Sequence, residues 1–126
     1  MRHGQEVYQR NSLTTATPGQ VLIAMFDGAL RFIAQARQGM VDGRPELKGE
    51  NISRALNILA ELAGTLDERY APDLCEQLRS LYAYYAQRLR EASAHMDTLP
   101  LDEVTQHLEA MRDTWEEALH RMGEPG

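Results

Sequence analysis

The chain has 126 residues, 43% of them apolar and 25% charged, with a formal net charge of -6. That length sets a single domain with one core, and the acidic balance excludes nucleic acid or an anionic membrane as main partner, since both attract a concentrated positive face. The lone cysteine, Cys75, excludes an internal disulfide and makes a reducing compartment, the cytoplasm, the default setting.

In chain order, residues 1–17 come first. The opening Met1-Arg2-His3-Gly4-Gln5-Glu6 lacks the apolar stretch of a signal peptide, and the chain has no run of roughly 18 apolar residues, so it is read as neither exported by that route nor inserted in a membrane. Val7, Tyr8 and Leu13 are isolated apolar side chains in a polar segment. Such a segment is a poor core former and is expected to lie on the domain as a displaceable cover.

A helix is predicted over 18–41, because Leu22, Phe26, Ala29, Ile33, Ala36 and Met40 recur at helical spacing. Thr17 is positioned to cap it, with Pro18 in the first turn and Gln20 completing a T-x-x-Q capping box; Asp42-Gly43 ends it. Ile52, Ala55, Leu56, Leu59, Leu62, Ala63 and Leu66 define a second helix over 45–66. Pro72 opens a third over 72–97, striped by Leu74, Leu78, Leu81, Tyr82, Tyr85, Leu89, Ala92 and Met96. Pro100 interrupts the chain before a fourth over 101–122, whose stripe of Val104, Leu108, Met111, Trp115 and Leu119 places Trp115 in the core. Four amphipathic helices on short connections predict an all-α fold, an antiparallel up-down four-helix bundle with the N-terminal segment packed against it. Residues 123–126 are expected to be a loose end.

Little in the pattern carries chemistry. Glu117-Ala118-Leu119-His120 puts two metal-ligand types on one helical face, but a bundle di-metal site needs two such motifs and two more glutamates. A histidine phosphotransfer bundle is the alternative that His95, His107 and His120 raise, yet Met96-Asp97-Thr98 after His95 and Leu108-Glu109-Ala110 after His107 supply no cation to balance a phosphoryl group. Cys75 reads as a small apolar filler. No catalytic residue, metal ligand or cofactor is assigned.

An apolar surplus is the stronger signal. Ile23, Met25, Leu30 and Phe32 on the first helix and Ile58 on the second lie beyond the leanest core stripe. A wide core accounts for them, and so does a groove for a partner helix. The groove reading selects Ile23, Met25, Phe26, Ile52, Ile58 and Leu59, with Asn51 as a polar neighbour for a partner's backbone. Gly28, in mid-helix despite its low helix propensity, permits close backbone approach.

Taken in order, Tyr8-x-x-Asn11 with Thr15-Ala16-Thr17-Pro18, then Met25-Phe26-Asp27-Gly28-Ala29-Leu30, then Leu78-Arg79-Ser80-Leu81-Tyr82 with Arg88-Leu89-Arg90-Glu91-Ala92, and finally Met111-Arg112-Asp113-Thr114-Trp115-Glu116-Glu117-Ala118 resemble the FliS family of flagellin chaperones. Phe26 stands where that family has tyrosine, and Met111 where it has leucine. The resemblance implies a cytoplasmic chaperone that binds the disordered C-terminal segment of flagellin and keeps it from polymerising before flagellar type III export. It further implies a direct role for Tyr8, and contacts to the export gate and to other flagellar regulators. On that reading the flagellin-binding residues are Val7, Tyr8, Asn11 and Leu13 of the cover, together with the groove residues of the first two helices. A purely structural bundle is the remaining alternative.

Overall fold

The computed structural model describes residues 16–123, in which α1 (Pro18–Val41), α2 (Pro45–Gly64), α3 (Pro72–His95) and α4 (Leu99–Arg121) follow one another without a strand. The expected cover over most of 1–17 and the expected loose end after Gly123 lie outside the described residues.

Local chemistry explains where each helix starts. Thr17 Oγ1 accepts from the Gln20 amide at 3.1 Å while the Thr17 amide donates to Gln20 Oε1 at 3.0 Å, the reciprocal capping box that the sequence predicts. Pro18, Pro45 and Pro72 all stand at first-turn positions, where no amide donor is needed. Pro100 does the same rather than interrupting the chain, so α4 begins two residues earlier than predicted; the Leu99 amide donates to Asp97 Oδ1 at 3.0 Å. Gly43, at φ +66, makes the turn out of α1. Two residues without glycine's freedom also take left-handed backbone, Ala71 before α3 and Met96 after it, at φ 47 and 51.

Each helix packs on its neighbours in sequence, and α4 returns to α1, closing a ring of four with no diagonal contact among the described residues. Alternating direction follows from the short links. The α1–α2 seam is the most extensive and the α3–α4 seam the least. Gly39 makes the first possible: a Cβ there would stand 2.7 Å from the Lys48 backbone nitrogen and 3.2 Å from the Arg44 carbonyl. Lys48 in turn reaches across from α2, donating from Nζ to the Ser93 carbonyl at 2.9 Å, and so satisfies an acceptor near the negative end of α3. Phe26, Ile33, Leu59, Leu62, Leu89, Leu101, Val104 and Leu108 fill the core.

Candidate functional site

The core is not equally covered along its length. At the end where α1 starts, α2 stops, α3 starts and α4 stops, the apolar stripes run on past the last well-buried layer into solvent. Val21 is 48% and Leu74 44% exposed there, Leu22, Met25, Met111 and Trp115 are half-buried, and Tyr70 in the α2–α3 link is exposed. These side chains line one continuous groove. Its first part is walled by Ala16, Pro18, Val21, Leu22, Met25 and Thr65. Leu22 and Thr65 carry it into a second part, with Leu66, Tyr70, Leu74, Leu78 and Trp115. From Leu74, Leu78 and Trp115 it passes between α3 and α4 to Ala110, Met111 and Thr114.

Polar groups frame the groove. Trp115 Nε1 is buried and has no hydrogen-bond partner among the described residues. Beside it, Arg112 Nε donates to Asp27 Oδ1 at 2.5 Å and joins α4 to α1, while Glu116 pairs with the same guanidinium at 2.6 Å. These carboxylates hold Arg112 above the usual arginine range, Asp27 first among them. Farther along the α3–α4 seam, the Tyr84 hydroxyl donates to Glu103 Oε1 at 2.8 Å and Arg88 Nε donates to it at 2.9 Å. Both bonds favour the carboxylate and hold Glu103 below its ordinary value.

The residues selected from sequence fall differently. Ile23, Phe26, Ile52, Leu59 and Asn51 are all buried in the bundle, so in this arrangement they do not form an open groove. Only Met25 and Ile58 of that set are half-buried. The α1–α2 face is closed because α1 and α2 pack so tightly: a Cβ on Gly28 would stand 3.1 Å from Ile58 Cδ1, and the Arg31 and Arg54 guanidiniums lie over the Phe32 ring at 5.3 and 5.7 Å. Of the apolar surplus, Ile23 belongs to the core, and Met25, Leu30, Phe32 and Ile58 are half-buried against it. Asn51 uses its side-chain amide on the Leu47 carbonyl at 2.8 Å, leaving Oδ1 unpartnered. Trp115 departs from expectation in the other direction, being half-buried at the groove instead of enclosed, because among the described residues no fourth wall covers the end of its stripe. Val7, Tyr8, Asn11 and Leu13 lie outside the described residues.

Sequence reading missed Val21, Tyr70 and the continuity through Leu22, Leu74 and Met111. Tyr70 carried the one available signal, a large aromatic in a link that needs none.

The remaining candidates stay apart. Glu117 pairs with Arg121 at 2.6 Å, and no group of three or more His, Cys, Asp and Glu able to hold a metal exists among the described residues. The His107 ring meets the Tyr85 ring edge-on at 5.6 Å, with Nδ1 3.4 Å from the hydroxyl. Cys75 is buried, its thiol 3.4 Å from the Asp67 carbonyl. No helix of the described residues is long and apolar enough to cross a membrane.

Fold and groove together define the class: an all-helical bundle that presents an apolar surface at one end. The chain belongs to the FliS family, whose model, described as "Flagellar protein FliS", matches residues 1–122. It is 37% identical over 112 residues to the flagellar secretion chaperone FliS of Bacillus subtilis (strain 168), covering 89% of this chain and 83% of that one. Identity to the flagellar secretion chaperone FliSB of Pseudomonas aeruginosa is 32% over 120 residues, covering 95% of each chain. With the flagellar secretion chaperone FliS of Escherichia coli (strain K12) it is 31% over 110 residues, covering 86% and 81%.

Proposed function

We propose that this protein is a cytoplasmic export chaperone for flagellin, which holds the disordered C-terminal segment of its client, prevents premature polymerisation and performs no catalytic step. The observation that carries the reading is the apolar groove from Ala16 to Met111. A segment that folds on binding spends much of its interaction free energy on its own ordering, so it needs a long apolar track. Membership of the FliS family supports the client, and by the same analogy the export gate and other flagellar regulators are further partners.

The segment before Thr17 is the proposed cover. Ala16 stands in the groove wall, and the fifteen residues before it span up to roughly 50 Å when extended, ample to reach Trp115. Val7, Tyr8 and Leu13 are its apolar contacts when no client is bound, and Tyr8 and Asn11 also touch the client. Met25 belongs to both the sequence-selected set and the groove.

Calorimetry with flagellin, intact and lacking its C-terminal segment, tests the reading: the intact client binds and the truncated one does not. Leu74→Asp, at an exposed position, is expected to keep the fold and weaken the client at least tenfold, and Tyr8→Ala to weaken it less. Amide exchange over residues 5–16 should change when the client is added. Binding that survives loss of the client's C-terminal segment defeats the proposal.

A further inference from the structure

We infer that the Trp115 indole N–H is a recognition donor and that the client crosses it in a non-helical stretch, presenting a free main-chain carbonyl. The inference rests on the chaperone reading and adds a contact and a conformation to it.

A buried N–H without an acceptor is costly, and bulk water does not relieve this one because Nε1 is enclosed. Yet the ring around it is half-buried and forms a wall shared by two parts of the groove. Its neighbour one turn back, Met111, is unbranched and half-buried, so a small rotation of the indole is sterically accessible. The groove beside the ring is lined by Leu74, Leu78, Ala110 and Met111, whose side chains accept no hydrogen bond, and by Gln106, His107 and Thr114, none of which bonds Nε1. The acceptor therefore has to arrive with the occupant.

Occupant conformation follows from the same chemistry. Within a helix every carbonyl except those of the last turn already accepts an i+4 amide, so a helix crossing the ring in mid-length has only the second lone pairs of engaged carbonyls and no free carbonyl to offer. An extended stretch or a helix C-terminus has. A carboxylate is the wrong acceptor for so apolar a wall, because the neighbouring Arg112 is already paired with Asp27, Asp113 and Glu116 and burying a further carboxylate costs more than the bond returns.

The chain's single tryptophan makes the test direct, since the full-length protein labelled with nitrogen-15 has one indole N–H signal. The probe is a carbon-13-labelled peptide of the flagellin C-terminal segment. On binding, the indole proton is expected to move downfield and its exchange with solvent to slow at least tenfold, with non-helical carbon shifts in the peptide residues nearest the ring. Trp115→Phe, which keeps an aromatic ring and removes the donor, should weaken the peptide about tenfold with the helix content unchanged. Equal affinity of Trp115→Phe and the parent overturns the inference while leaving the chaperone reading intact. So does an indole signal that the peptide leaves unmoved in shift and in exchange rate alike. Failure of the parent to bind the peptide overturns both.

Discussion

Arg112 of α4 donates to Asp27 of α1 at 2.5 Å, which joins in space the two most distinctive sequence motifs of the chain, Met25–Leu30 and Arg112–Ala118. Phe26, beside Asp27, enters the core, while Trp115, one turn after Arg112, reaches the groove. The ion pair thus lies where the filled bundle gives way to its open end.

Its energetic weight is modest. Asp27 is 48% and Arg112 26% exposed at the side chain, and solvent screens such pairs. Asp27→Asn is expected to lower unfolding free energy by about 0.5–1 kcal/mol in urea titrations, and by less in molar salt. A loss several times larger, insensitive to salt, contradicts the exposed geometry.

Two glycines of α1 should respond differently to Ala. At Gly39 the new methyl meets backbone, 2.7 Å from the Lys48 nitrogen, so α1 and α2 have to separate; Gly39→Ala is expected to cost about 1–3 kcal/mol. At Gly28 the methyl meets side-chain ends, Ile58 Cδ1 at 3.1 Å and Arg31 Nη2 at 3.9 Å, and the gain of roughly 1 kcal/mol in helix propensity opposes the crowding. Gly28→Ala should therefore fall within about 1 kcal/mol of the parent. Thermal unfolding of the two variants side by side decides this.

Tyr82, 4% exposed, has its phenol pushed up to about 12 by burial first and by the neighbouring Tyr85 second. The fold prefers the neutral phenol, so its stabilisation is fully present below the unfolded value near 10.0 and is lost as pH rises through about 12. Unfolding free energy from urea titrations should drop across that window, by about 2 kcal/mol from this group, and Tyr82→Phe should flatten the drop. An equally steep fall in the variant would place the titration elsewhere.

How far sequence reading reached is clearest at particular residues. Thr17, Pro18 and Gln20 specify the start of α1 by local hydrogen bonding, and the observed capping box is the one they predict. Pro100 was less legible, because a proline at a helix start and one in a preceding loop look alike until the rest of the first turn is seen. Of the residues that the sequence selects for a groove, Ile23, Phe26 and Leu59 on α1 and α2 are buried, whereas Leu22 and Trp115 are half-buried and Leu74 is exposed.

By itself the sequence determined the four helices, their antiparallel ring and the family resemblance, because caps, helical periodicity and short links act over a few residues at a time. Only the tertiary structure decided which apolar stripes are roofed. Leu74 and Leu89 share one stripe of α3, yet the first is 44% exposed and the second fully buried. Periodicity reports the direction in which a side chain points; whether another helix stands there depends on where the opposing helices end, and at this end the walls stop short and leave a groove.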